Sequence, residues 1–540
     1  MHELKRYLSL KNKIKEARTL ALIGIAEAGS GHPGASFSAA EIMGSLYFQI
    51  MQFDISNPFL QSRDYFINSK AHSAPGYYAV LSIAGSFPKE EITTLRKLNS
   101  RLQGHPVRYS DFQKHHSVPG IEYSGGSEGI GLSVSVGIGL ANKLDNKNNI
   151  VYCLLGDGEI NEGQIWEAAM AAAKFKLDNI IAILDRNKIQ QDGFSDDIMP
   201  LDPVKEKWLS FNWNVVEVNG HKVEQIIDAL KTRSIGKPKI IIANTVKGNG
   251  IKHMANNPQW HGRAPSKKHL PLLIKELEGE YMISPSIIAG NGNKESFESK
   301  IETVEKFGAD MIHLDVMDGK FVPNSTFFFD TIKNLRGITK LPFDTHLMIN
   351  NPYEVIDSYI DAGCDIITTH VEVFESEKEF EKINDKILSS GVSPGLAVNP
   401  GTELPKWLYN YLDRLDVIII MSVNPGFAGQ KFIPSVLPKM KNLIPDLKRN
   451  GYRGYFEADG GIDLSTISSC FEAGCRIFVM GNAIFGSENI VESIKNTRFL
   501  LNSTLEKELL MESESFDIKE DWIKNRKDIL NRFNVIKEIC

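Results

Sequence analysis

Residues 280–286 read EYMISPS, and the pattern of the chain changes at this junction. Before it, a few continuous apolar runs alternate with long helical stretches. After it, runs of strand length recur at short intervals, with one helix-length segment between neighbours. A chain of 540 residues is too long for one ordinary hydrophobic core. We therefore predict two α/β domains, residues 1–280 and 281–490, followed by a helical C-terminal extension over 491–540.

The first region has the pattern of an open parallel sheet. Continuous apolar runs at 150–155, 180–184 and 239–243 are typical of buried parallel strands with helices on both faces. Between the first two runs, residues 164–174 are rich in alanine and glutamate, which favours a helix. This strand–helix–strand unit predicts a doubly wound α/β fold, which binds ligands at the carboxyl ends of its strands.

The second region has the pattern of a closed barrel. Strand-like runs lie at 283–287, 311–315, 343–347, 366–370, 395–398, 417–421, 455–459 and 477–480. Eight strands separated by helices predict a (β/α)8 TIM barrel, whose catalytic residues lie at the carboxyl ends of the strands.

Composition favours a cytoplasmic enzyme. The net charge of −6 gives no support for nucleic-acid binding. The five cysteines are sparse and show no CxxC spacing, which favours a reducing compartment over a disulfide framework. Residues 4–16 form a charged amphipathic helix rather than a signal peptide, and no apolar run approaches the roughly 20 residues of a membrane span. Residues 491–540 are interpreted as a solvated tail, with a partner-docking element as the alternative.

Polar residues end two of the apolar runs in the first region. Asp157 lies in the GDG turn at 156–158, and Asn187 follows the next run. Their carboxylate and amide oxygens suit Mg²⁺, with the carbonyl of Ile189 as a third ligand and diphosphate oxygens or water completing the shell. The alternative is a tight turn with a helix-capping asparagine. A dinucleotide-binding loop at 125–131 is disfavoured, because no convincing strand precedes it.

Several short motifs give this region a family resemblance. They are SGHPG at 30–34, KAHSAP at 70–75, GHP at 104–106, GSEGIGL at 126–132, GDGE at 156–159 and WHG at 260–262. Over residues 10–275 the chain resembles the thiamine diphosphate-binding part of transketolase, which implies thiamine diphosphate and Mg²⁺ as cofactors. The resemblance assigns substrate contacts to His32, His105 and His261, and cofactor contacts to His72, Gly126, Ser127, Glu128, Asp157, Gly158, Glu162 and Asn187.

Two features of the resemblance bear on assembly. Glu162 matches a glutamate buried at the dimer contact, so an oligomer is expected, and Glu128 departs from the leucine of many members. Transketolase also has a second domain, which carries the glutamate that activates the cofactor, whereas this chain changes to the barrel pattern. We therefore expect a separate partner chain that carries the missing transketolase domain. The alternative is a non-catalytic dimerisation or docking module attached to an active barrel.

Ionisable residues alternate along three strands of the predicted barrel. Because side chains alternate with a period of two, the residues at 313, 315 and 317 share one face, as do those at 344, 346 and 348, and those at 457 and 459. An ionic group facing a barrel interior is costly unless it is paired, metal-bound or catalytic. The predicted divalent metal site, for Zn²⁺, Fe²⁺, Mn²⁺ or Co²⁺, consists of His313, Asp315, His346 and Asp459. The alternative is a buried ion-pair network.

Glycine-rich loops after late strands predict a phosphate site, because such loops commonly offer backbone N–H groups. The residues concerned are Gly426, Phe427, Ala428, Gly429, Gly460, Gly461, Gly481 and Asn482.

Residues 282–488 resemble ribulose-phosphate 3-epimerase, and the long stretches 314–324 and 421–439 are among the matching parts. The resemblance implies conversion of D-ribulose 5-phosphate to D-xylulose 5-phosphate, with Asp315 and Asp459 as metal ligands and as acid and base on opposite substrate faces. The metal would hold the C2 and C3 oxygens. Further substrate contacts are assigned to Ser286, Met317, His346, Met348 and Met421. Asn482 stands where a serine is usual. The product is a ketol donor for transketolase, so the two halves fit adjacent steps of the pentose phosphate pathway. An aldolase barrel is disfavoured, because no Schiff-base lysine ends a strand.

Overall fold

The structure of the protein, a computed structural model, describes residues 5–110, 117–290 and 296–515. These residues form two compact units. The first unit contains residues 13–278 together with 512–515, and the second contains 5–12 together with 279–511.

The first unit has a parallel sheet of five strands in the order β1-β2-β3-β5-β4. The strands are β1 (Tyr65–Asn68), β2 (Val151–Gly156), β3 (Ile180–Arg186), β4 (Asn214–Asn219) and β5 (Lys239–Asn244). The helices are α1 (Tyr7–Ala28), of which residues 7–12 belong to the second unit, α2 (Pro33–Ser38), α3 (Ala40–Ser45), α4 (Ala74–Ile83), α5 (Ile130–Leu144), α6 (Gly163–Lys174), α7 (Ser195–Ile198), α8 (Val204–Ser210), α9 (Val223–Lys231) and α10 (Leu270–Glu278).

The three central strands and α6 match the predicted elements, which confirms an α/β fold with a parallel sheet. All side chains of β2 are buried, as a strand covered on both faces requires. Two strands were not predicted: β1, which has only four residues, and β4, whose side chains are mostly only partly buried. The pairing of Gly156 with Asp185 aligns the ends of β2 and β3. Asp157 and Asn187 therefore leave the sheet at the same edge.

The second unit has a parallel sheet of eight strands in the order β6-β13-β12-β11-β10-β9-β8-β7. The strands are β6 (Met282–Pro285), β7 (Ile312–Met317), β8 (Phe343–Met348), β9 (Ile366–His370), β10 (Ser393–Val398), β11 (Val417–Met421), β12 (Tyr455–Asp459) and β13 (Ile477–Met480). The helices are α11 (Phe297–Lys306), α12 (Phe329–Leu335), α13 (Ile356–Asp361), α14 (Glu377–Ser389), α15 (Val436–Arg449), α16 (Ile467–Ala473), α17 (Asn482–Phe485) and α18 (Ile490–Ser515).

A parallel bridge between Ser286 and His313 links the end of β6 to β7, so the sheet is an almost closed barrel. This confirms the predicted TIM barrel. The register pairs Asp315 with His346 on the neighbouring strand β8. Inward-facing residues of β7 and β8 therefore lie side by side.

Two segments lie in the barrel unit although the predicted domain ranges place them elsewhere. Helix α18 buries Ile494 and Leu501, and Tyr281 donates a hydrogen bond to the carbonyl of Arg498 (3.2 Å). This contact makes the first turns of the predicted extension part of the barrel rather than a solvated tail. The remainder of that extension, residues 516–540 with Cys540, lies outside the described residues.

Residues 5–12 form the second such segment, here called the N-terminal arm. The guanidinium of Arg6 donates to Asp416 (2.8 Å), and the backbone N–H of Leu8 donates to Ser393 Oγ (3.1 Å). Leu8 is fully buried. Apolar burial and two specific hydrogen bonds thus attach the arm to the barrel.

Two predictions from composition concern cysteines and membranes. Cys153, Cys364, Cys470 and Cys475 are buried thiols without a disulfide. Within the described ranges, no helix has both the length and the apolar character needed to cross a membrane.

Candidate active sites

The four predicted metal ligands of the barrel lie together. One ligand atom from each of His313, Asp315, His346 and Asp459 can be chosen so that all lie within 4.8 Å of one another. Nε2 of His313 lies 3.4 Å from Asp315 Oδ1, and Nδ1 of His346 lies 3.3 Å from Asp459 Oδ2. Both nitrogens are buried and form no well-oriented hydrogen bond within the described part of the chain. Two unsatisfied imidazole nitrogens facing two carboxylates fit a divalent metal.

A carboxylate behind His313 sets the orientation of its ring. Asp344 Oδ2 lies 2.7 Å from His313 Nδ1 and accepts a hydrogen bond from Ser284 (2.9 Å). A carboxylate can only accept from an imidazole, so Nδ1 carries a proton, and Nε2 is the nitrogen that faces the cluster. Glu457 lies 3.5 Å from the same Nδ1. Asp344 and Glu457 were assigned no role from the sequence, although both share the alternation that marked their neighbours.

A further histidine, His370, contacts the ring nitrogen of His346 that points away from the cluster. Nε2 of His346 lies 2.8 Å from Nε2 of His370, whose Nδ1 lies 3.0 Å from Glu372 Oε2. His370 and Glu372 were not predicted as site residues, although His370 ends β9, where barrel enzymes place functional side chains.

The charges of the cluster shift its pKa values in opposite directions. Burial favours the neutral carboxyl of Asp315, but the imidazoles of His313 and His346 outweigh it and hold its pKa well below the usual range. Burial would lower the pKa of His313, but the carboxylates of Asp344 and Asp315 raise it well above its ordinary value. Burial lowers the pKa of His370 to about 4. Without a metal, these shifts favour an ionised Asp315 beside a protonated His313, so a metal bound at Nε2 would displace a proton.

A cavity of about 630 Å³ opens over this cluster. Ser286, Met317, Met348, Met421 and all eight residues of the predicted phosphate site line it, together with Asp315 and Asp459. Ser286 Oγ donates to Asp315 Oδ2 (2.6 Å), and Asn482 Oδ1 accepts from the N–H of Gly290 (3.3 Å).

Gly461 shows why the loops of this cavity need glycine. Its φ of +65° lies in the left-handed region, and an added Cβ would lie 2.4 Å from the backbone nitrogen of Phe432. The loop therefore approaches its neighbour more closely than any side chain would allow.

The first unit brings the predicted Mg²⁺ ligands to one edge of its sheet. Asp157 Oδ2 accepts from the N–H of Lys188, while its Oδ1 is buried without a hydrogen bond in the described residues. Asn187 Oδ1 accepts from the N–H of Ile189 (3.2 Å). The carbonyl of Ile189 accepts from Lys247 Nζ (2.8 Å), so a lysine shares the third predicted ligand. The unsatisfied carboxylate oxygen and the adjoining amide oxygen fit a hard cation.

A buried ion pair lies next to the predicted Mg²⁺ ligands at this edge of the sheet. Lys70 forms an ion pair with Asp185, and Ser38 Oγ donates to the same carboxylate (2.6 Å). Burial favours the neutral acid of Asp185, but Lys70 outweighs it and lowers the pKa. Burial and the nearby charge of Asp185 raise the pKa of Asp157 to about 7. Lys70 lies in the KAHSAP motif but was given no role, because its partner Asp185 is distant in the sequence, on β3.

Three of the predicted histidines form a cluster. The ring centroids of His32, His72 and His261 lie 5.2–5.3 Å apart. Burial lowers the pKa of His32 to about 4 and that of His261 to about 2, so neutral rings are favoured at pH 7. Nδ1 of His72 lies 3.1 Å from Glu128 Oε1, the residue that departs from the family pattern.

The glycine-rich stretch near these histidines is held by Glu159. Its carboxylate accepts from the N–H groups of Gly129 (2.9 Å) and Gly156 (3.0 Å), which ties the stretch to the end of β2. His105 is exposed but lies near Gly126, whose Cβ position would be 3.8 Å from His105 Nδ1. Three other predicted residues are placed as follows: Ser127 and Glu162 are exposed, and Gly158 begins a short 3-10 turn.

Comparisons with known proteins agree with this division. The family described as transketolase, thiamine diphosphate binding domain, matches residues 9–282, and the ribulose-phosphate 3 epimerase family matches residues 282–485. The chain is 39% identical over 276 residues to an apulose-4-phosphate transketolase subunit from Actinobacillus succinogenes, covering 51% of this chain and 98% of that protein. It is 37% identical over 282 residues to transketolase from Pongo abelii, covering 52% of this chain but 44% of that protein. It is 38% identical over 221 residues to chloroplastic ribulose-5-phosphate-3-epimerase from Arabidopsis thaliana, covering 41% of this chain and 77% of that protein.

Proposed function

Because the chain belongs to the transketolase family through its first half and to the ribulose-phosphate 3-epimerase family through its second, we propose that it is a bifunctional enzyme. The barrel interconverts D-ribulose 5-phosphate and D-xylulose 5-phosphate. The first unit is the cofactor-binding half of a split transketolase, which uses xylulose 5-phosphate as ketol donor. The two reactions are then consecutive steps of pentose phosphate metabolism, since the product of one is the substrate of the other.

The buried pair of carboxylates carries the epimerase proposal. Asp315 and Asp459 reach the two imidazoles of one cluster from different strands, at distances of 3.3–3.9 Å. Inversion of a carbon centre requires a base on one face and an acid on the other. One aspartate removes the C3 proton, which leaves an enediolate, and the other, in its acid form, delivers a proton to the opposite face of C3. The roles exchange in the reverse reaction.

The remaining cavity residues support this proton transfer. Ser286 donates to Asp315 and restrains that carboxylate. The side chains of Met317, Met348 and Met421 line the cavity, where they limit water around the planar enediolate. Nε2 of His313, Nδ1 of His346 and the two aspartates would hold a divalent metal. When bound, Zn²⁺, Fe²⁺, Mn²⁺ or Co²⁺ supplies Lewis-acid stabilisation of the enediolate charge.

Hydrogen exchange at C3 tests this assignment directly. The metal-loaded protein is incubated with ribulose 5-phosphate in D₂O, and the pentose phosphates are followed by NMR. We expect deuterium at C3 together with formation of xylulose 5-phosphate. Xylulose 5-phosphate without deuterium at C3, or no conversion with any of the four metals, would contradict the proposal.

The difference in coverage supports the proposed split transketolase. The chain spans nearly all of a relative that is named as one subunit of a transketolase but less than half of a full transketolase. We infer that Asp157 and Asn187 hold Mg²⁺ with the diphosphate of thiamine diphosphate, while His32, His105 and His261 contact the sugar. A second chain would supply the missing domain. The donor is assigned as xylulose 5-phosphate from the barrel reaction, and the acceptor is left open.

A titration with thiamine diphosphate and Mg²⁺ separates this proposal from the docking-module alternative. We expect binding by the full chain, measured by calorimetry, and a loss of at least about tenfold in affinity for Asp157→Asn, because a metal-ligand charge is removed. Asp192→Asn, at an exposed site on the same unit, is the matched control. The absence of binding at millimolar cofactor would favour the docking module.

A ketol-transfer assay tests the need for a partner. We expect the chain alone to show no turnover with xylulose 5-phosphate, and activity to require a second chain that carries the missing transketolase domain. Robust turnover by the purified chain alone would overturn the split-enzyme proposal.

A further inference from the structure

The two histidines of the barrel cluster present different nitrogens to it. His313 offers Nε2, because Asp344 lies against its Nδ1 at 2.7 Å. His346 offers Nδ1, so the nitrogen pointing away from the cluster is Nε2. No carboxylate lies against that Nε2 among the described residues. Its neighbour at 2.8 Å is instead Nε2 of His370.

Glu372 fixes which group donates and which accepts in the hydrogen bonds that run from Glu372 through His370 to His346. Glu372 Oε1 accepts from the N–H of Asn399 (2.8 Å), and its Oε2 lies 3.0 Å from His370 Nδ1. A carboxylate oxygen accepts, so Nδ1 of His370 carries a hydrogen. The neutral ring then has a lone pair on Nε2, which must accept from Nε2–H of His346. The remaining nitrogen of His346 is left with its lone pair directed at the cluster.

The opposite tautomer of His346 is disfavoured by the same contacts. It would place two lone pairs against each other across the 2.8 Å gap to His370. The rings of His346 and His370 are fully buried, with centroids 4.9 Å apart and planes within 23°, so water cannot replace the missing hydrogen bond.

We infer that His370 and Glu372 are positioning residues, which hold His346 in the tautomer whose Nδ1 is free to bind the metal of the barrel. The inference rests on the proposed epimerase site. His370 does for His346 what Asp344 does for His313, but through an additional imidazole. On the His313 side, the carboxylate of Asp344 contacts the metal-binding imidazole directly. On the His346 side, the carboxylate of Glu372 contacts His370, which in turn contacts the metal-binding imidazole.

Metal affinity provides the test, because it does not depend on turnover. The dissociation constant of Co²⁺ is measured on the full chain by competition with a chromophoric chelator, and the visible spectrum of bound Co²⁺ is recorded. We expect His370→Leu to weaken binding by about 10–100-fold, as is typical when the partner of a metal-binding histidine is lost. His370→Gln should recover most of the affinity, because its amide offers both a carbonyl acceptor and an N–H donor.

Glu372→Gln serves as the second variant if His370→Leu does not fold, because it keeps the size of a half-buried side chain. Its affinity should lie between those of the wild type and His370→Leu, with an unchanged melting temperature of the metal-free protein. Affinity within twofold of the wild type for both variants would overturn the inference. A wild type that binds Co²⁺ tightly, shows this pattern of affinities and lacks epimerase activity would leave the positioning role intact and refute the proposed reaction instead.

Discussion

Replacing Asp315 with asparagine is the sharpest test of the barrel chemistry. Asparagine has nearly the same shape, and its carbonyl oxygen can still accept the hydrogen bond from Ser286 that Asp315 Oδ2 accepts at 2.6 Å. The change removes a negative charge that lies 3.4 Å from His313 Nε2 and 3.7 Å from His346 Nδ1. The variant therefore keeps the local packing but loses the group that we propose takes or gives the C3 proton.

The size of the effect follows from this lost role. General acid–base catalysis contributes about 10²–10⁴-fold. This range equals about 2.7–5.5 kcal/mol of activation free energy, at about 1.36 kcal/mol per tenfold. We expect kcat to fall by at least that factor at saturating metal, because the substitution also weakens a ligand of the cluster. Far-ultraviolet circular dichroism should stay unchanged, since the hydrogen bond to Ser286 remains.

The assay follows xylulose 5-phosphate formation by a coupled enzyme, with C3 deuterium exchange as an independent readout. Metal is raised until the rate no longer changes, so that weaker metal binding cannot be mistaken for lost chemistry. Asp361→Asn, at an exposed position at the end of α13, is the control and should keep the wild-type rate. A kcat of Asp315→Asn within tenfold of the wild type at saturating metal would refute the assigned role.

Further predictions concern the metal, the phosphate loop and the N-terminal arm. Removing metal with a chelator should abolish epimerase activity and lower the melting temperature, because a ligand that binds only the folded state stabilises it; activity unaffected by chelation would contradict the metal site. Gly461→Ala should raise KM for ribulose 5-phosphate by about tenfold or more, because a side chain is strained at φ +65° and meets the Phe432 backbone. Gly401→Ala is the control and should behave as wild type, because the space around its Cβ position is open. Leu8→Ala should lower the free energy of unfolding by about 2–5 kcal/mol in urea titrations. Leu98→Ala is the control, because that side chain is 93% exposed. If Leu8→Ala lowers the free energy of unfolding no more than Leu98→Ala does, the arm does not stabilise the barrel.

Local sequence patterns were sufficient to predict both folds and most of the metal cluster. Side chains alternate along a strand, so the spacing of His313 and Asp315, and of His346 and Met348, already placed each pair on one face. Strand-length apolar runs with helices between them were sufficient to predict a barrel. The first unit followed similarly from its continuous apolar strands, each with polar residues at its carboxyl end. These signals are local, because each one lies within a single element.

How these residues act on one another depends on contacts that form only in the folded chain. The contacts of Asp344 with His313, of His370 with His346 and of Lys70 with Asp185 join different elements of the fold, and no spacing within one element encodes them. For the same reason, the packing of the N-terminal arm and of α18 against the barrel was not predicted. Which imidazole nitrogen faces the proposed metal site depends on hydrogen-bond partners that come together only when the sheet closes. The ligand set is thus a property of strand periodicity, whereas its protonation and orientation are properties of the closed barrel.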